Sequence, residues 1–241
     1  MDAKRLSQIQ DYIASHVGHM DRYFGPMFDP SGRKVLVIGC GWGVETYWCL
    51  LRGAAFVVGF DPAPRDTAPL VAALNANNSQ LKERFTHHQC LIEDVPTTDV
   101  DAILSNNVFE HIDDVEGTLA SCRRFMTKRH SRLHIFTDPL YYSSAGSHLP
   151  VSPWRHLRID SAALKREAGA GSNWQQFENG LNRMTLLSFL NNVETAGMWI
   201  ESLSIVPDRN RKSYAADRPQ IAPMTALLEG IACTLAFPEN I

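Results

Sequence analysis

No stretch of this 241-residue chain holds the ~20 consecutive apolar residues that a membrane-crossing helix needs, so no spanning segment is expected. The N-terminus, MDAKRLSQIQDY, lacks the continuous apolar core of a secretion signal, and the expectation is a cytoplasmic protein. Basic clusters are short, reaching only Arg123-Arg124 and Lys128-Arg129-His130, and the formal net charge is -3. Nothing here is built to neutralise a phosphate backbone, so no nucleic-acid partner is expected. The 5 cysteines are odd in number and scattered, without a CxxC pair. They read as reduced, packed thiols, not as a disulfide framework or a thiolate metal site. Internal repeats and low-complexity tracts are also absent.

What is present is a regular alternation. At 44% hydrophobic and 20% charged residues, the chain reads as a single domain over residues 1–241. Leu6, Ile9, Ile13 and Val17 form one stripe at spacings of three and four, which predicts an amphipathic helix within an N-terminal helical lid segment, residues 1–30. Lys34 to Ile38 is β-branched and apolar, as a strand covered on both faces should be. Further strands are predicted at Phe56 to Phe60, more weakly around Phe85 to Ile92, then at Asp101 to Ser105, Leu133 to Phe136, Trp199 to Val206 and Ile231 to Phe237. Helices are predicted over Val44 to Leu51 and Thr67 to Leu74, after a cap at Asp113 or Asp114 through Val115, Leu119, Cys122 and Met126, and after a cap at Thr185 as far as Gly197. The pattern implies an α/β fold: a Rossmann-like, open, mostly parallel seven-stranded sheet with helices on both faces and ligands outside the carboxyl ends of the strands. From Thr137 to about Arg183 the rhythm fails, in a stretch rich in Tyr, Ser, Gly, Pro, Trp and His. It is too long for an ordinary connection, and residues 139–183 read as a cap insertion over a substrate site after the fifth strand.

The first strand runs into Gly39-Cys40-Gly41-Trp42-Gly43, a GxGxG turn. Val44 stands where a dinucleotide fingerprint would have its third glycine. Asp61 ends the second strand about 20 residues on, where a carboxylate can accept both hydroxyls of a ribose; a plain Asp-Pro turn start is the alternative. The fourth strand then leads into SNNVFEHIDD, which carries Asn106, Glu110 and His111.

GCGWG, VVGFD, IEDVP and SNNVFEHI stand in the order and spacing of one family, and over Val35 to about Pro139 the chain resembles the class I S-adenosylmethionine-dependent methyltransferases of small-molecule type. The resemblance implies that S-adenosylmethionine is the cofactor, with Gly39, Cys40 and Gly41 along its methionine portion and Asp61 on its ribose. It implies further that Ile92 and Glu93 flank the adenine and that Asn106 lies beside the amino-acid end. Where many relatives carry an acidic residue followed by alanine after the third strand, this chain has Leu91-Ile92, so Glu93, Asp94 or the Ile92 backbone would have to meet the adenine amino group.

Methyl transfer is an in-line displacement that needs alignment, and an oxygen acceptor also needs a base for its proton. His111 and His148 are the candidate catalytic residues; the competing reading of His111 is that its Glu-His pair only positions the following helix. Tyr142 and Trp154, with Tyr141, are candidate acceptor-binding residues, while His156 reads as packing within the cap. The fourth strand is not followed by the Pro-Pro-aromatic run of enzymes that methylate nucleobase amines, and Asp113-Asp114 reads as a helix cap, so no metal is expected. The expected partner is a small-molecule acceptor, and the expected reaction is methylation of a hydroxyl oxygen on a sugar or secondary metabolite. Two alternatives stand beside it. One is a catalytically inactive methyltransferase-like partner subunit. The other is an NAD(P)-dependent reductase, which would need a proton donor such as a Tyr-xxx-Lys pair that this chain lacks. Oligomeric state is not encoded in any of these motifs.

Overall fold

The computed structural model describes residues 2–96, 99–214 and 221–240. Seven strands form one sheet: β1 (Lys34–Ile38), β2 (Phe56–Phe60), β3 (Phe85–His88), β4 (Ala102–Asn106), β5 (Arg132–Thr137), β6 (Trp199–Pro207) and β7 (Leu228–Ala236). Their order is β3-β2-β1-β4-β5-β7-β6, with every pair parallel except β5–β7 and β6–β7. Chain order and sheet order part company between β1 and β4, so a crevice opens at their carboxyl ends. Ile38 pairs with Phe60 on one side and Ser105 on the other, while Asn106 pairs with Phe136. Gly39, Asp61, Asn106 and Thr137 therefore lie at one level along that edge.

Alternation along β1 shows why the sheet is covered twice. Val35 and Val37 belong to a core packed with Trp48, Leu70 and Phe24, whereas Leu36 and Ile38 face a second core with Phe109, Leu119 and Phe189. Helices α1 (Ala3–Ser15), α2 (Val17–Tyr23), α3 (Val44–Leu51) and α4 (Ala68–Asn77) belong to the first layer. Asp21 stitches α2 to α3 by accepting from Trp48 Nε1 at 2.7 Å and pairing with Arg52 at 2.6 Å. Helices α5 (Val115–Ser121) and α8 (Leu186–Thr195) pack together in the second layer. Asp114 caps α5 by accepting from Gly117 N, and Thr185 and Ser188 close a capping box on α8.

Three elements differ from the sequence-based expectation. The third strand stops at His88, where its ladder with β2 ends, and Ile92–Asp94 forms a 3₁₀ turn instead. The helix after Asp114 tightens into a 3₁₀ turn at Cys122–Arg124 before reaching Met126. The cap is less irregular than its composition suggests, since it holds α6 (Ser161–Ala168), capped by Asp160, and α7 (Trp174–Asn179). Each of those helices buries a single side chain, Leu164 and Trp174, too little to write a periodic signature. No helix among the described residues is long and apolar enough to cross a membrane.

Candidate functional site

The turn after β1 places three glycines at positive φ, each for its own reason. A Cβ on Gly39 would fall 2.4 Å from Val108 Cγ2, and one on Gly43 would fall 2.6 Å from Leu70 Cδ2. These two glycines serve close packing. A Cβ on Gly41 would meet nothing nearer than Gly39 O at 3.9 Å, because this position faces open space. Gly41 N donates to Asp61 Oδ2 at 3.0 Å, while Asp61 Oδ1 accepts from Ala63 N at 2.8 Å. One hydrogen bond to each oxygen leaves lone pairs on the carboxylate for a ligand's hydroxyls.

Two adjoining cavities, of about 250 and 800 Å³, share Tyr12, Gly39, Gly41 and Asn107 in their walls. Cys40 and Asn106 line the smaller one; Asp61, Ile92 and Glu93 line the larger. The structure thus gathers Gly39, Cys40, Gly41, Asp61, Ile92, Glu93 and Asn106 around one continuous crevice. Arg124 fixes the Ile92–Asp94 turn by donating to Glu93 O at 2.7 Å and Val95 O at 2.6 Å, and Leu91 lies open at the cavity wall.

Glu45, which the motif reading passed over, joins this group. It sits in the first turn of α3, where the helix dipole favours a carboxylate, and it lines the smaller cavity. Asn106 Nδ2 donates to Glu45 Oε1 at 2.8 Å, yet burial still pushes the Glu45 carboxyl up to about 7. The Asn106 amide oxygen lies by the His19 ring, where it favours the protonated imidazole, but closes no hydrogen bond of its own. A buried carboxyl and an unpartnered buried amide oxygen side by side suit a ligand group that is cationic and rich in N–H donors. The sequence signal was a lone carboxylate in an otherwise buried apolar helix.

His111 lines the larger cavity at the end of the 3₁₀ turn Phe109–His111. Its Nδ1 meets Gly180 O, which can only accept, so Nδ1 carries the proton in the neutral ring and Nε2 holds the lone pair. Gln176 Nε2 donates to that Nε2 at 3.3 Å. Burial keeps the imidazole below its ordinary pKa, with the Gly180 bond opposing. Glu110 is buried alongside; burial raises its carboxyl to about 8, Thr137 Oγ1 donates to its Oε2, and its unpartnered Oε1 lies 3.9 Å from His111 Nε2.

The other sequence candidates lie elsewhere. His148 Nε2 donates to Pro139 O at 3.2 Å, and its ring meets the His111 ring edge-on at 5.3 Å, but it lines neither cavity. Tyr142 packs edge-on against Tyr141 at 5.1 Å, outside both cavity walls. Trp154 has no exposed surface: its Nε1 donates to Ala226 O and its ring abuts Tyr214, so it is a packing residue of the cap. His156 likewise packs within the cap, bonded to Tyr141 O. From the cap it is Gln176 that reaches the cavity wall. No cluster of His, Cys, Asp and Glu among the described residues has the arrangement of a metal site.

Comparison with known proteins bears on this geometry directly. A family model described as a methyltransferase domain matches residues 36–130, the stretch from β1 to the loop before β5. A ubiquinone biosynthesis O-methyltransferase of Neisseria meningitidis is 28% identical over 199 residues, covering 80% of this chain and 74% of the relative. The enzyme of the same name from Mesorhizobium japonicum is 36% identical over 122 residues, 49% of this chain and 45% of its own. Among solved structures, an S-adenosylmethionine-dependent methyltransferase from Mesorhizobium loti superposes with a TM-score of 0.58 at 17% identity, covering 88% of this chain and 94% of its own. Geranyl diphosphate C-methyltransferase from Streptomyces coelicolor, solved with S-adenosyl-L-homocysteine, gives 0.56 at 12% identity over 92% and 78% of the two chains. At such identities the structures speak for the fold, and the matched model and named relatives speak for the chemistry. An open cradle at Gly41, a carboxylate with lone pairs to spare at Asp61 and paired acceptors at Glu45 and Asn106 fit the sugar and amino-acid ends of S-adenosylmethionine, and the chain carries a methyltransferase domain that takes S-adenosylmethionine as its cofactor.

Proposed function

We propose that this methyltransferase acts on a hydroxyl oxygen of a small-molecule acceptor and that His111 is the base that receives the hydroxyl proton. The observation that carries the reading is the His111 ring itself. Nδ1–H is committed to a backbone carbonyl, and the lone pair at Nε2 belongs to a residue of the larger cavity's wall. A base placed in this way contributes typically 10²–10⁴-fold when the acceptor loses a proton, and nothing when the acceptor is a free amine. The relatives' common name, O-methyltransferase, supports oxygen as the acceptor atom.

S-adenosylmethionine supplies an electrophilic methyl group on a sulfonium sulfur. Around it, Asp61 would accept from the ribose hydroxyls, Glu45 and Asn106 would accept from the amino group, and Ile92 and Glu93 would flank the adenine. His111 Nε2 takes the proton that the acceptor hydroxyl loses as its oxygen gains the methyl. The imidazolium so formed has Glu110 Oε1 within 3.9 Å, an acceptor otherwise without a partner. In this reading the N-terminal helices roof the amino-acid end through Tyr12, His16 and His19, and the cap covers the acceptor.

Transfer of label from methyl-tritiated cofactor to a panel of hydroxyl-bearing and amine-bearing small molecules tests the reading, with sugars and secondary metabolites both in the panel. The wild type should label hydroxyl acceptors. His111→Asn should lose about 10²-fold or more in rate while S-adenosylhomocysteine binds as before by calorimetry. Label entering amines alone, or an undiminished rate in the variant, would refute it.

A further inference from the structure

The two hydrogen bonds that orient His111 both come from the far end of the cap, 65 and 69 residues along the chain. The same short segment grips the rest of the turn. Asn182 N donates to Glu110 O at 2.9 Å, and Asn182 Nδ2 donates to Phe109 O at 2.6 Å and Ile112 O at 2.7 Å. Asn182 Oδ1 accepts from Met184 N at 3.0 Å, so every polar group of the side chain is used. The turn's own backbone supplies little: His111 N to Val108 O at 2.8 Å and a long Ile112 N to Phe109 O at 3.4 Å. The asparagine amide offers two N–H groups to two carbonyls while accepting on its other side; an aspartate in its place would turn a carboxylate oxygen towards both. Gly180, in turn, closes α7 through Gly180 N to Gln176 O at 2.9 Å, which ties Gln176 and the Gly180 carbonyl into one rigid piece.

We propose that residues 176–182 are a strap by which the cap sets the tautomer and aim of His111, with Asn182 and Gln176 as positioning residues for the base. The proposal rests on the reading of His111 as the base. Its consequence is that the element covering the acceptor also builds the group that deprotonates it, so a misplaced cap leaves a mis-set base. The charged and titratable groups facing the ring are Glu110 on its own turn, with Asp138 beside Glu110, and His148 from the cap's first half. From α7 only the neutral Gln176 faces it.

The ring can be read without turnover. In the full chain labelled with ¹⁵N-histidine and loaded with S-adenosylhomocysteine, long-range ¹H–¹⁵N spectra across pH report tautomer and titration midpoint, with His111 assigned by the signal lost in His111→Gln. The wild type should show Nδ1–H, an unprotonated Nε2 that accepts from Gln176, and a midpoint below that of free histidine. Gln176→Glu sets a carboxylate against Nε2, so the proton should appear there and the midpoint should rise by about one unit or more. Asn182→Asp should mix the tautomers and return the midpoint towards the ordinary value. His134, buried between β5 and β7 with Thr234, is the control for folding. If Asn182→Asp disturbs His134, Gln176→Glu decides alone, because Gln176 is only half-buried in the cap. Unchanged tautomer and midpoint in variants with an intact His134 signal would overturn the strap. A strap that passes, in an enzyme that labels no hydroxyl acceptor, would instead overturn the reading of His111 as a base.

Discussion

Three glycines within five residues hold the turn after β1, and what each would touch separates packing from binding. Gly41→Ala adds a methyl at φ +45 with no protein neighbour under 3.9 Å. Its folding cost should be about 1–2 kcal/mol, the left-handed backbone penalty, while the methyl would stand in the proposed cofactor cradle. There, overpacking at about 1–3 kcal/mol should weaken S-adenosylhomocysteine by about 5-fold to about 100-fold. Gly39→Ala should show the opposite balance, since Val108 has to move. Thermal melts and calorimetry on the two variants would show it, and equal binding by Gly41→Ala and wild type would contradict the assignment of the cradle. The glycine spacing and Asp61 were legible in the sequence because both are local to the ends of strands. Glu45 was not, because its significance lies in a contact with Asn106, 61 residues away, and in a burial that only the assembled cavity creates. Trp154 erred in the other direction: an aromatic in a polar loop looks like a pocket wall until its indole N–H is found bonded to Ala226 in the interior.

Helices and strands were legible in proportion to how fully they are buried. α3, with seven of its eight residues buried, and β1 and β2, nearly so, fall within the bounds their apolar runs predict. α6 and α7 went unseen because most of their length faces solvent or the cap's own loops. The same contrast bears on the N-terminal helices. α1 buries only Ile13 completely, although Tyr12 on the same helix lines both cavities. An element held by so few buried contacts opens locally at low cost, and a ligand that fills the cavity beneath it adds contacts. Amides of α1 should therefore exchange faster than those of α3 in the free protein and slow several-fold when S-adenosylhomocysteine is added. Hydrogen exchange read by mass spectrometry checks this, and an α1 indifferent to the ligand would show that it is not part of a roof.

Across the whole molecule, the parallel strands all end at the same level, so one edge of the sheet collects parts dispersed through the chain: the turn after β1, Asp61 after β2, Asn106 at the end of β4 and His111 after it, and the cap after β5. That convergence was legible from the order of strands and helices alone, because right-handed crossovers leave few other arrangements. The way the cap returns to grip the turn after β4 was not, since Gln176, Gly180 and Asn182 carry no motif and act on partners 65 to 73 residues away in sequence. In the proposed reaction this edge brings a methyl donor and a neutral, correctly oriented imidazole to one hydroxyl. The pH dependence of the single-turnover rate, with a hydroxyl acceptor found in the labelling panel, tests it most directly. Burial lowers the His111 pKa, so the base is free at neutral pH and is lost only as pH falls below the ordinary histidine value. The rate should be level near neutrality, fall on the acid side with a midpoint below about 6.5, and lose that limb in His111→Asn. An acid limb of the same midpoint persisting in His111→Asn, or no limb in the wild type, would contradict it.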